Sequence, residues 1–390
     1  MQTKPKLKTA LLEFFLTEDT LYTFIVRGNI PELGIDDKEP IVLKQSLSIG
    51  EENGEQKLLE IKGIVSYLRA RIGKIKTTPQ NKHEKYFNET DFKDFYHLGE
   101  LIFTQELLQY ITPYEALYLV PFGDLHHLPL HAMKFEDSED YVIDRFVVSY
   151  LPSASVLQYL QSRRQNDTKQ NSQKSILTVG VDYERNVNAF VEETAEIKQL
   201  PYWNITDSMD FRKKEAHKEA ILQDHTHKDV IHFSTHGFFA DRNPLKSGVL
   251  LYTGEDVYKI DEDKHAGMIL SAQDIFEKMT LDAELVVMSG CVTGESKNKA
   301  GDELIGLTRA LIYAGASSMI VSLFNILKNV TTDSTTPKAK FKEFYTLWLG
   351  SDAYITKAQA FQKYIQQIKK HPRYQHPFYW FSFIFVGDIN

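Results

Sequence analysis

One cysteine stands in the 390-residue chain, Cys291, and it follows a glycine at the end of an apolar run, Glu284 to Ser289 (ELVVMS). A second apolar run, Val230 to Thr235 (VIHFST), leads into His236-Gly237 in the same way. A thiol and an imidazole together make a nucleophile and its base. A free thiol of pKa about 8.5 is only a few per cent thiolate at neutral pH, and a neighbouring histidine lowers that value or takes the proton during attack. The flanking glycines suit the same chemistry. Gly237 and Gly290 permit tight turns and close substrate approach, and the backbone N–H groups of Gly237 and Cys291 can converge on a developing oxyanion. A second reading stays open, because free cysteine is among the most buried residue types and packs inertly in many cores.

For the two side chains to meet, the two runs must be neighbouring strands with their carboxyl ends on one edge. The pattern around them supports that. Ile176 to Val181 (ILTVGV), Val230 to Thr235, Glu284 to Ser289 and Ser317 to Leu323 read as buried strands, with Gly248 to Tyr252 a shorter one. Between them, Val191 to Leu200, Phe211 to Asp224, Ala272 to Met279 (capped by Ser271) and Glu303 to Tyr313 read as helices. Alternating strands and helices predict an α/β fold, a mainly parallel sheet flanked by helices on both faces, with ligands beyond the carboxyl ends of the strands.

The first half is less regular. Ala10 to Phe15 and Thr20 to Arg27 read as a hairpin turning at Thr17-Glu18-Asp19. Gln56 to Ile72 and Asp91 to Tyr110 read as helices around a polar loop, Lys76 to Glu89. Ala116 to Phe122 and Tyr141 to Tyr150 read as strands. The polar stretch Gln161 to Ser175 carries no apolar residue between its ends and reads as a linker, dividing the chain into 1–165 and 172–390.

Composition excludes several classes. A lone thiol forms no internal disulfide, four-cysteine zinc site or iron–sulfur cluster, and suits a reducing, cytoplasmic compartment. A net charge of −8 disfavours nucleic acid as a direct partner. No apolar run approaches the roughly 20 residues that span a bilayer; the aromatic run Phe378 to Phe385 reads as a core strand. His225, His227, His232 and His236 crowd one segment and His126, His127 and His131 another, but without zinc-type spacing, so neither metal nor cofactor is expected. Lys297 stands where a tyrosine-phosphatase loop needs Arg, and no phosphate-cradling glycine motif occurs.

Several segments together resemble one known family. They are Ile231-His232-Phe233-Ser234-Thr235-His236-Gly237; Leu285 to Gly294 (LVVMSGCVTG); Gly301 to Ala310 (GDELIGLTRA) with Tyr313-Ala314-Gly315-Ala316; and His376-Pro377-Phe378-Tyr379-Trp380 to Val386-Gly387-Asp388. In this order they are similar to the signatures of the CHAT family, caspase-like cysteine peptidases related to separase. Val120-Pro121-Phe122-Gly123-Asp124-Leu125 to Leu128-Pro129-Leu130 is similar to that family's upstream strand and turn. The fifty-five positions from His236 to Cys291 also approach the roughly 50 that separate the caspase pair.

The resemblance implies a cysteine endopeptidase with Cys291 as nucleophile and His236 as base and then acid, passing through a thioester acyl-enzyme. It implies a non-catalytic, pseudo-caspase-like half at 1–165 and a peptidase domain at 172–390. In this fold substrate lies extended beside the strand after the nucleophile's helix, which nominates Ser322, Leu323 and Asn325 for backbone pairing. Asp302 and Glu303 either line a pocket for a basic residue or serve only to start a helix. Val292 stands where family members often carry Glu, and Phe324 to Leu327 replaces their frequent Trp and acidic pair, so cleavage preference does not carry over. The implied partners are a protein substrate and a regulatory or activating protein, in bacterial antiviral defence or cell death, with Glu295 to Ala300 and Asn325 to Thr336 ordering on activation. The alternative from another class is a catalytically silent scaffold or interaction module on the same fold.

Overall fold

The computed structural model describes residues 7–35, 39–52, 55–75, 92–164, 173–182, 189–204, 206–238, 240, 243–252, 266–290, 300–323, 341–351, 354–372, 375, 377 and 380–390. Strands β1 (Thr9–Leu16) and β2 (Thr20–Arg27) form the expected hairpin, with Ala10, Leu12 and Phe14 buried on one face of β1 and Leu11 buried on the other. At the turn, the Thr17 hydroxyl accepts from the Thr20 N–H at 3.1 Å. β3 (Ile41–Ser46) adds antiparallel to β2.

Residues 48–58 form an antiparallel ribbon, β4 (Ser48–Glu52) and β5 (Glu55–Leu58), instead of the start of a helix. Helix α1 (Ile61–Ile75) begins only where the apolar period of Ile61, Ile64, Val65 and Leu68 begins, since Glu55 to Lys57 have no apolar stripe to bury. The expected helix Asp91 to Tyr110 is two, α2 (Lys93–Ile102) and α3 (Gln105–Ile111). Thr104 separates them, because its backbone is extended and its hydroxyl accepts from the Leu107 N–H at 3.2 Å as an N-cap. After β6 (Ala116–Val120), the expected strand Tyr141 to Tyr150 splits into one helical turn, α4 (Val142–Arg145), and β7 (Val147–Tyr150). The Asp144 carboxylate accepts from the Tyr141 N–H at 3.0 Å and fixes that turn. β6 and β7 run parallel to β1, so the strand order here is β3-β2-β1-β6-β7.

The chain divides into two compact units, Met1–Gln158 with Thr356–Phe381 and Ile389–Asn390, and Tyr159–Ile355 with Ser382–Asp388. Helix α5 (Ala154–Arg164) leads into the second unit; residues 165–172 of the polar linker lie outside the described residues. The second unit then alternates as the sequence suggested: β8 (Ile176–Gly180), α6 (Ala189–Lys198), β9 (Met209–Arg212), α7 (Lys218–Asp224), β10 (Val230–Ser234), the short strands β11 (Gly237–Phe238), β12 (Gly248–Leu250) and β13 (Ile269–Ser271), α8 (Ala272–Lys278), β14 (Leu285–Met288), α9 (Ala300–Ala314), β15 (Ser318–Ser322) and α10 (Phe341–Leu349). The first unit takes back α11 (Lys357–Lys370), and β16 (Phe383–Gly387) belongs to the second.

The second unit's sheet runs β9-β8-β10-β14-β15-β16, parallel except for β16. Every residue of β8, β10, β14 and β15 is buried, which requires cover on both faces, and α6 packs across β8 and β10. The segment Phe211 to Asp224, expected as one helix, instead begins on the edge strand β9, where Asp210 accepts from the Thr178 hydroxyl at 2.7 Å and pairs with Arg212. The helical stripe starts only at α7.

A small three-stranded sheet, β11-β12-β13, hangs from the chain just after β10. Its last strand ends at Ser271, which caps α8 in a reciprocal box with Asp274. Asp274 also pairs with Lys218 of α7 and Lys278, each at 2.6 Å. Burial works to raise the Asp274 pKa, but hydrogen bonds from Lys218, Lys278 and Ser271 overcome it and hold the group at about 2. A depressed acid contributes stability above its unfolded value and loses it as pH falls through the folded one. Asp274→Asn should therefore lower the melting temperature by a few degrees at pH 7, with the gap to wild type closing between pH 3.8 and about 2. Thermal scans across that window check it; a gap independent of pH would refute the assignment.

Candidate active site

The ladder between β10 and β14 sets the site. Val230 pairs with Leu285 and Phe233 with Met288, and the Ser289 N–H extends the pairing to the Phe233 carbonyl at 2.9 Å. The two chains therefore step off the sheet together. Gly290 packs so closely on the other chain that a Cβ there would lie 1.3 Å from the Thr235 carbonyl oxygen. No other residue fits without moving the backbone. The residues just before His236 and just before Cys291 are thus in direct contact.

His236 is held from two sides. The Thr235 hydroxyl donates to the Leu250 carbonyl at 2.5 Å, and the Leu250 N–H donates to the His236 carbonyl at 2.8 Å. Gly237 opens β11, half-buried and opposite Val249. The imidazole is 8% exposed, and the Phe190 ring stands edge-on to it at 5.0 Å and 85°. Phe190 lies in the first turn of α6, whose Phe190 and Val191 N–H groups donate to Asp182 at 3.2 and 3.1 Å. Burial raises the Asp182 pKa to about 6 despite those N–H groups. The end of β8 thereby sets the helix that packs on the histidine.

Beneath both strand ends lies a polar group without an obvious mark in the sequence. Glu193, one turn along α6 from Phe190, accepts from the Ser234 and Ser289 hydroxyls, the latter at 2.8 Å. The two serine oxygens are 3.0 Å apart. The other carboxylate oxygen faces His232 Nε2 at 3.7 Å, and His232 Nδ1 meets the Tyr345 hydroxyl at 3.0 Å. A signal was available: a serine stands two positions before each candidate catalytic residue, Ser234 before His236 and Ser289 before Cys291.

Cys291, Val292 and Asn325 lie outside the described residues, as do most of Glu295 to Ala300 and all of Asn325 to Thr336. Asp302 and Glu303 fall in the first turn of α9. Ser322 ends β15 opposite Phe383, and the Leu323 N–H donates to the Ser382 carbonyl at 2.8 Å, so this edge of the strand is paired with the chain itself. The clustered histidines have separate tasks. His225 Nδ1 bonds the Leu222 carbonyl while its Nε2 accepts from the Thr280 N–H. In the first unit His131 meets the Tyr150 hydroxyl at 3.0 Å, and burial drives its pKa down to about 3. Among the described residues no group of three or more His, Cys, Asp or Glu forms a metal-binding cluster, and no helix is long and apolar enough to cross a membrane.

Comparison with known proteins fits this geometry. Two solved structures of the Saccharomyces cerevisiae separase–securin complex, at 2.6 and 3.0 Å, superpose with TM-scores of 0.57 and 0.61. Each match covers 98% of this chain and 30% of the other at 10% identity. That likeness establishes a shared, separase-like α/β fold. Tetratricopeptide repeat protein 28 of Homo sapiens is 24% identical over 310 residues, and that of Mus musculus 21% over 308. Each match takes in 70% of this chain, which spans only 12% of the relatives' length. The CHAT domain model matches residues 96–388, from α2 to the end of β16. The chain belongs to the CHAT domain family.

Proposed function

We propose that this chain is a cysteine endopeptidase of caspase type that cleaves a partner protein. Cys291 attacks the scissile carbonyl carbon, and His236 takes the thiol proton. The tetrahedral intermediate collapses to a thioester as His236 returns the proton to the leaving amine. Water then adds with His236 as base, releasing the acid and restoring the thiol. The backbone N–H groups of Gly237 and Cys291 receive the oxyanion. The observation that carries this reading is the contact of Gly290 with Thr235, which joins the chain segments bearing the two residues.

The rest of the assignment comes from the family resemblance. It takes 172–390 as the peptidase domain and 1–165 as the non-catalytic half, although the segment Thr356–Phe381 groups with the first compact unit. Ser322, Leu323 and Asn325 are the candidates for backbone pairing with substrate, the Leu323 N–H already donating to Ser382; Asp302 and Glu303 are candidates for the pocket facing a basic side chain. No cofactor takes part. The protein acts in the cytoplasm, in bacterial antiviral defence or cell death, and is released by an activating partner. A second reading is favoured by the relatives' description as tetratricopeptide repeat proteins: a silent scaffold that presents the fold to other proteins.

Co-expression with candidate partners, followed by mass spectrometry for new termini, separates the two. Wild type should produce termini that vanish in Cys291→Ala and His236→Ala. Cleavage that persists in Cys291→Ala would rule out the thiol mechanism, and no cleavage by wild type would favour the scaffold. Gly290→Ala should retain the fold of the sheet but lose on the order of 100-fold in activity, because the added methyl must separate the two strand ends. Full activity in that variant would show that their contact is dispensable.

A further inference from the structure

We propose that Glu193 is the positioning residue of the dyad: its carboxylate ties the ends of β10 and β14 together through Ser234 and Ser289 and so fixes the spacing of the strand ends that lead into His236 and Cys291. The inference rests on the peptidase reading above. Neither the acyl transfer nor the oxyanion needs Glu193, yet its side chain is 11% exposed and accepts from two buried serine hydroxyls, each two positions upstream of a dyad member.

The chemistry of the site supports a lock between strands rather than a simple helix contact. One carboxylate oxygen accepts both serine hydroxyls, so neither serine can shift along its strand without losing a charge-assisted bond. Ser289 is additionally tied by its N–H to Phe233, and the Val181 N–H donates to the Ser234 carbonyl at 3.1 Å. The buried charge has its own support. Burial and the Glu193 charge raise the Tyr345 pKa, and its hydroxyl meets His232 Nδ1 at 3.0 Å. The other ring nitrogen, Nε2, faces the second carboxylate oxygen at 3.7 Å. The same helix lays Phe190 against the imidazole, so α6 touches one dyad member directly and the approach to both through a single side chain.

Because Cys291 is the sole thiol, its reactivity reads the dyad without a known substrate. The experiment measures iodoacetamide alkylation of the full chain against pH for wild type, His236→Ala, Glu193→Ala, Glu193→Gln, Ser289→Ala and the double variant Glu193→Ala/His236→Ala, with melting temperatures in parallel. His236→Ala should move the profile toward that of an ordinary thiol, near pH 8.5. Glu193→Ala and Ser289→Ala should move it the same way, the double variant should go no further than His236→Ala, and Glu193→Gln, which keeps an acceptor for both hydroxyls, should restore most of the wild-type profile. Folded Glu193→Ala and Ser289→Ala that retain the wild-type profile while His236→Ala shifts it would overturn the proposal, as would a double variant that shifts beyond His236→Ala. If Glu193→Ala does not fold, Ser289→Ala, which loses one hydroxyl, decides alone. A His236→Ala profile identical to wild type would instead remove the dyad itself, and the role of Glu193 with it.

Discussion

Two parallel strands can bring their final residues into contact only if nothing projects between them where they leave the sheet. In this chain that condition rests on Gly290, whose missing side chain lets the Thr235 carbonyl occupy the space. The ladder from Val230↔Leu285 to Phe233↔Met288 sets the register, and the glycine extends the approach past the last pair. The turn after β10 then has to be held from outside the main sheet. The bonds between Thr235, His236 and Leu250 do this, with β12 acting as a brace anchored through β13 and the charged cap of α8.

Helix α6 has a larger part than its modest length suggests. Its start is set by Asp182, which follows β8 and receives two of the helix's unsatisfied N–H groups. From that fixed start, positions three apart share a face, so Phe190 and Glu193 point at the same region of the strand ends. An apolar edge meets the imidazole and a carboxylate meets the serines below it. Packing and polar order at the site therefore come from one element whose position is determined on the neighbouring strand.

Much of this was legible before any coordinates. The strands β8, β10, β14 and β15 are mostly apolar runs, as strands buried on both faces tend to be, and a glycine soon after each of the middle two marked where the chain turned. The edge strand β9 was not legible, because its half-buried Met209, Asp210 and Phe211 and exposed Arg212 follow no core pattern and merge with the helix beyond. The break at Thr104 was hidden by apolar residues continuing on both sides. Glu193 escaped for a different reason: glutamate suits any helix, Glu192 and Glu196 stand beside it, and its partners lie 41 and 96 positions away. Spacing along a chain reveals which residues end a strand, but not which side chain from another element reaches beneath them.

The two compact units are interleaved along the chain: the first resumes at Thr356 after the whole of the second but β16, and the second regains Ser382–Asp388 only afterwards. Severing the polar linker would therefore not yield one fragment per unit. The amino-terminal piece would lack α11, whose Lys369 pairs with Asp144, and the carboxyl-terminal piece would carry that helix without its partner. During synthesis, likewise, neither unit has its full set of elements until the ribosome has passed residue 380. Each unit thus depends on segments that lie beyond the other in the chain, and a nick or a stalled chain leaves both incomplete.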